Sequence, residues 1–273
     1  MKSSIALLAT GLAVAAIAAG GSSAAGGGPA TILLGGKGVI SPSGKIRYLA
    51  LTTGRQTIVS VVKVRGGQAS RWRLIKGYFG VPIIAVDGTT DGVSRDGRTL
   101  VLATPTGGRR TEFALIATKT LRLRRLTLPG SWSFDAISPD ATALFLIEYS
   151  GTGSNASYRV RAYDLAARRL LPTPVVDRTI GEKLMRGQAV TRATTSDGRW
   201  AYTLYARANH EPFVHALDTV RRKAFCIDLP IDSRKAEQME LRLRLRAGRT
   251  LEVRSGQDTV AAVDTRTFVV HRR

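Results

Sequence analysis

The chain of 273 residues is poor in the side chains that most often do chemistry. It has one cysteine, three histidines and 6% aromatic residues. A single cysteine, Cys226, rules out an internal disulfide framework. It sits in the strand-like run Ala224-Phe225-Cys226-Ile227, where a thiol reads as a small buried hydrophobe. His215 falls inside another strand-like run, Phe213 to Leu217, and reads as a strand-surface residue. His271 lies beside the terminal arginines. His210-Glu211 lacks the second histidine, four residues on, that a helical zinc site needs. Acids are scarce too: 20 Asp and Glu stand against 41 Lys and Arg, a formal charge of +21. Only nine of the 41 are lysine. No G-x-S-x-G elbow occurs, and Gly35, Gly36 and Gly38 do not lead into a helix as a dinucleotide loop would. Asp87, Asp91 and Asp96 crowd together without the alternate-position order of a calcium loop, and read as turn residues. These absences leave no assigned catalytic, cofactor or metal residue.

Long apolar runs are missing after the N-terminus, so nothing later in the chain is built to span a bilayer. The start is different. Lys2 precedes an apolar stretch, Ile5 to Ala19, and small residues follow from Gly20 to Ala25. That order reads as a secretory signal over residues 1–25, with Ser23 and Ala25 as one cleavage pair and Ala16 and Ala18 as another. An uncleaved anchor is the alternative, and the only route to a membrane. No cysteine follows the stretch to carry a lipid. Residues 26–30 read as a linker and 31–273 as a single domain.

What is abundant is a repeated turn. Ser41-Pro42-Ser43-Gly44-Lys45 is followed by Ser94-Arg95-Asp96-Gly97-Arg98, Ser138-Pro139-Asp140-Ala141-Thr142 and Thr195-Ser196-Asp197-Gly198-Arg199. Arg246-Ala247-Gly248-Arg249 is a degenerate fifth copy. An apolar strand follows each turn, then a polar loop and an alternating second strand. Three second strands end in Asp164, Asp218 and Asp264, suited to accept backbone N–H groups two residues on. Periods near 50 residues, each holding several short strands, indicate five units of four antiparallel strands.

The Ser-Pro-Asp-Gly-Arg turn, the apolar strand after it and the ends Leu217-Asp218-Thr219 and Val263-Asp264-Thr265 resemble bacterial extracytoplasmic propellers of the TolB-like, WD-like and YVTN types. The Trp-Asp dipeptide and the Tyr-Val-Thr-Asn box of those families are absent. The resemblance implies an all-β propeller of about five four-stranded blades, many such proteins being binding scaffolds and some lactonases or quinoproteins. One strand fits poorly. In Met239-Glu240-Leu241-Arg242-Leu243-Arg244-Leu245-Arg246 the leucines lie on one face and the arginines on the other. Arginines facing a neighbouring blade would be costly unless paired or hydrated. Either this strand borders water or the array is incomplete and open.

In an up-and-down blade, the loops entering the second strands share one rim and the repeated turns share the other. The first rim would gather Arg109, Arg110, Asn155, Arg207, Asn209, His210 and Glu211 as candidate ligand-binding residues, with linkers carrying Asp177, Lys183, Asp232 and Arg234. Export removes cytoplasmic nucleic acid from the partner list, and no nucleic-acid module is visible. Trp72, Trp132 and Trp200 read as strand packing residues. Asn155-Ala156-Ser157 matches a glycosylation sequon by chance if the chain is bacterial. The expected function is a secreted, non-catalytic scaffold that binds an extracellular protein or an acidic envelope polymer. A propeller-fold hydrolase of the lactonase kind is the alternative.

Overall fold

The computed structural model describes residues 32–151, 157–177, 184–232, 234–247 and 249–272. Strand β1 (Ile32–Leu33) precedes the first blade, formed by β2 (Gly35–Ile40), β3 (Ile46–Thr53), β4 (Gln56–Lys63) and β5 (Ala69–Lys76). Strand β6 (Val81–Pro82), in the linker to the second blade, pairs with β1. The second blade holds β7 (Thr99–Ala103), β8 (Arg110–Ala117) and β9 (Leu123–Pro129). The third holds β10 (Trp132–Ile137), β11 (Ala143–Ser150), β12 (Ser157–Asp164) and the two-residue β13 (Arg169–Leu170). The fourth holds β14 (Gln188–Thr194), β15 (Trp200–Ala206), β16 (Phe213–Asp218) and β17 (Lys223–Asp228). A four-residue helix, α1 (Lys235–Gln238), leads to the fifth: β18 (Leu241–Arg246), β19 (Thr250–Ser255), β20 (Asp258–Asp264) and β21 (Val270–Arg272).

Every blade is an antiparallel meander, as the alternating runs require. The second departs from the expected four strands. Its inner line is reduced to a bridge between Val93 and Leu100. Gly92 lies beside this bridge with φ 125°, and a Cβ there would meet the Val101 carbonyl oxygen at 2.6 Å.

The repeated turn closes the same way in each of the first four blades. The first residue's carbonyl accepts the N–H three positions on, from Gly44, Gly97, Ala141 and Gly198 at 2.8–2.9 Å. Its hydroxyl accepts the N–H of the following strand, from Ile46, Thr99, Ala143 and Trp200. Asp96, Asp140 and Asp197 add a third clamp on the N–H of Arg98, Thr142 and Arg199. At the other turn, Asp164, Asp218 and Asp264 each accept two backbone N–H groups, two and three residues on.

Four apolar clusters fill the four spaces between successive blades. Among the described residues no ladder or core cluster joins the fifth blade to the first. The array is open, which answers the difficulty over β18. Leu241, Leu243 and Leu245 pack against the fourth blade, while Arg242, Arg244 and Arg246 face outward and are exposed. At the opposite end, Trp72 is 67% exposed on the outward face of the first blade. Trp132 is buried and Trp200 half-buried, as strand packing residues are. Trp72 differs because its face has no neighbouring blade. Among the described residues no helix is long and apolar enough to cross a membrane.

Candidate functional site

Of the loops singled out from the sequence, the β7–β8 and β15–β16 connections leave their blades at the end opposite the repeated turns. Arg207, Asn209, His210 and Glu211 come together in the β15–β16 connection. Arg207 is not a loose cation there. Its Nε donates to the Glu211 carbonyl and its Nη2 to Asp228 Oδ1, both at 2.7 Å, with the guanidinium 4.9 Å from the Phe213 ring centroid. The fully buried Gln238 braces this loop, accepting from the Arg207 N–H and donating to the His210 carbonyl. Arg109 and Arg110 are exposed where the chain enters β8, and Arg110 sits 3.6 Å from Glu112. Asn155 and Lys183 lie outside the described residues. Asp177 is buried and accepts the Cys226 N–H at 2.8 Å, so it serves packing between elements rather than the rim.

A second region was not anticipated. A cavity of about 320 Å³ opens among the repeated turns, lined from the first four units by Pro42, Asp91, Arg95, Ile137, Arg192 and Ser196, among others. At its floor the chain buries charge. Arg192 on β14 donates through Nη1 to the Asp135 carbonyl, through Nη2 to Asp135 Oδ1, and through Nε to Thr203 Oγ1 at 2.9 Å. Both side chains of this ion pair are nearly inaccessible. Asp91 joins them from the lead-in to the second blade, its Oδ1 accepting the Gly92 N–H at 2.6 Å. Burial pushes the Asp91 carboxyl above its usual range, against the pull of Arg192. Turn chemistry does account for Asp87 and Asp96, which accept from Thr89 and Arg98. Asp91 departs from it and faces the cavity.

Behind this floor a line of polar groups runs between the third and fourth blades. Tyr149 Oη lies 2.9 Å from Ser133 Oγ, and the Tyr158 and Tyr205 rings are 5.9 Å apart. Burial raises the phenol pKa of all three tyrosines. His215 is here too, 1% exposed and edge-on to Tyr205. The strand-surface reading of His215 fails because its face of β16 is covered by the third blade. Burial pushes its pKa down to about 4. Among the described residues no group of three or more His, Cys, Asp or Glu is placed to hold a metal ion.

No protein-family model matches the chain, and no curated protein matches its sequence. Solved structures do. The β-propeller domain of Cps50 (Swd1) from Myceliophteria thermophila superposes with a TM-score of 0.50, at 12% identity, over 88% of this chain and 67% of that one. The fold is a β-propeller fold. A functionally unknown protein from Desulfotomaculum acetoxidans gives 0.53 at 11% identity, over 86% of this chain and 67% of its own. TolB from Acinetobacter baumannii gives 0.45 at 12% identity, over 85% of this chain and 52% of its own. At these identities the likeness concerns architecture, so the repeat resemblance holds for the propeller as a fold. Propellers host many functions, and what this one does must be argued from its surfaces.

Proposed function

We propose that this propeller is an extracytoplasmic, non-catalytic scaffold whose basic surface holds an anionic partner, an acidic envelope polymer or an acidic extracellular protein. The observation that supports this reading is the outward face of the last blade. Arg242, Arg244 and Arg246 lie there beside Arg254, which is opposite Arg242 in the ladder, and Glu252 is the acid among them. A guanidinium fork matches carboxylate or phosphate with two parallel bonds, which a lysine cannot copy. An open blade face offers such groups at strand spacing, so a polymer with regularly placed charges meets several at once. Arg109 and Arg110 extend the basic surface at the candidate rim. The apolar stretch at the N-terminus supports export.

The test uses a defined probe, fluorescent poly-glutamate, followed by anisotropy as salt is raised. Exposed charges are screened over about 8 Å at physiological ionic strength, so affinity should fall steeply. The Arg242→Ala, Arg244→Ala pair should weaken binding most and the Arg109→Ala, Arg110→Ala pair next. The Arg168→Ala, Arg169→Ala pair, at the turn rim, should matter least. Equal losses from all three pairs would mean general basicity and no site. Binding that ignores salt would remove the anionic partner altogether.

A further inference from the structure

The first blade presents an apolar sheet face to solvent. Along β5, Arg71 and Arg73 turn towards the second blade, donating to the carbonyls of Thr118 and Leu121 at 3.2 and 2.9 Å. Strand alternation then puts Trp72, Leu74 and Lys76 on the opposite side. The ladder sets Ser60 beside Trp72 and Ile58 beside Leu74, with Leu49 and Leu51 one strand further in. None of these apolar side chains belongs to the clusters that fill the spaces between blades, and Trp72 is 67% exposed.

The charge around this face is of one sign. Residues 32–86 hold nine lysines and arginines and no aspartate or glutamate. No ion pair among the described residues reaches this blade. Exposed cations stand at both ends of its strands, Arg55 and Lys76 at one and Lys63 and Arg65 at the other. A partner for this face must supply apolar surface across the middle and anions at both edges. A lipid surface does so without a matched shape: an indole sits at headgroup level, and lysines and arginines pair with anionic headgroups. A second copy of the chain does not fit, because two such faces would bring cations against cations with no acid on either side.

We propose that the first blade docks on an anionic lipid bilayer, with Trp72 and Leu74 entering the interface and Arg55, Lys63, Arg65 and Lys76 holding the headgroups. The sequence reading allowed a membrane only through an uncleaved anchor. This peripheral route needs no anchor, and it uses a face that exists only once β3, β4 and β5 lie side by side. It is separate from the arginine face of the fifth blade.

Vesicle co-sedimentation of the whole protein tests this, with vesicles of phosphatidylcholine alone and of phosphatidylcholine and phosphatidylglycerol in equal parts. Binding should be at least about tenfold stronger to the anionic vesicles, and should weaken as salt is raised. The Trp72→Ser, Leu74→Ser pair should cut it by about tenfold or more, and so should the Arg55→Glu, Lys76→Glu pair, all at exposed positions. The Arg242→Ala, Arg244→Ala pair should leave most of it in place. Quenching by brominated acyl chains reads the unaltered protein directly. It should be clear in the unaltered protein, where Trp72 is the one exposed tryptophan among the described residues, and lost in Trp72→Phe. Absence of binding to the anionic vesicles overturns the proposal and passes the face to an acidic protein. Equal binding to the neutral vesicles overturns it too, as does binding that both first-blade pairs leave unchanged. So does a greater loss from the fifth-blade pair, or quenching that survives in Trp72→Phe.

Discussion

His215 makes the stability of this propeller depend on pH in a calculable way. The ring is 1% exposed, and burial pushes its pKa down to about 4; the carboxylates of Asp135 and Asp177 pull it up, and Arg192 pushes it further down. In the unfolded chain a histidine takes up its proton near pH 6.5. Between those values the unfolded state binds one more proton than the folded state, so stability rises with pH. The contribution is complete above about 6.5 and is lost as pH falls towards 4. At about 1.4 kcal/mol per unit, taking the protein from pH 7.5 to 4.5 costs roughly 2.5 kcal/mol through this group alone. The perturbation is His215→Leu, of similar volume and without a titration. The assay is urea unfolding at several pH values. With a denaturant slope of about 2.5 kcal/mol/M, the wild-type midpoint should drop by roughly 1 M more than the variant's over that range. Carboxylates titrate in both proteins and cancel in the difference. Parallel midpoint curves for the two would refute the reasoning, and would mean that the ring reaches solvent or finds a partner when charged.

Two further tests concern the turns. Asp218→Ala should cost about 2–3 kcal/mol, because the 1%-exposed carboxylate holds the Val220 and Arg221 N–H groups and the Arg199 guanidinium at 2.7 Å; Asp264→Ala, at a less buried copy of the same turn, should lower the urea midpoint by less, and a reversed order would break the argument. Ala141→Gly should raise stability by about 0.5–1 kcal/mol, since Ala141 holds φ 55° where the other three copies carry glycine; a loss by differential scanning calorimetry would show that the alanine methyl packs for more than its strain costs.

How far the sequence carried depended on whether a signal was repeated. The turn with Ser or Thr first and Gly fourth recurs, so its hydrogen-bonded closure was legible, as were the strands at its flanks. The Asp at the end of the second strand was legible for the same reason. The leucine–arginine alternation of β18 held enough information to raise the open array, because strand periodicity alone sets which side chains share a face. The cavity floor was not legible. Asp91, Asp135 and Arg192 each occur once, are 44 and 57 residues apart, and come from three different units. Arg192 reads like any arginine on a strand until the third blade is laid over it. Asp91 stands in a run of turn-forming residues that suggested turn chemistry for all three acids. The only available hint was charge arithmetic: in a chain this basic, an aspartate inside an apolar strand such as Trp132–Ile137 implies a buried cation.

The two open ends of the array differ, and the difference bears on what can dock there. A sixth blade, or a second copy, packing on the fifth would have to bury Arg242 and Arg244, which have no ion pair among the described residues. Removing an unpaired charge from water costs several kcal/mol per ion. The arginines thus act as inward charges do on an edge strand, blocking growth of the sheet stack in that direction. On the first blade Trp72 and Leu74 are 67% and 42% exposed on the outward side. Head-to-tail stacking of two copies would press the arginine face of one onto this apolar face of the other and bury its unpaired charges. An acidic partner reverses the sign of the same calculation at the fifth blade alone. The strand that carries these unpaired arginines is then also the strand with most to gain from a carboxylate-bearing or phosphate-bearing ligand.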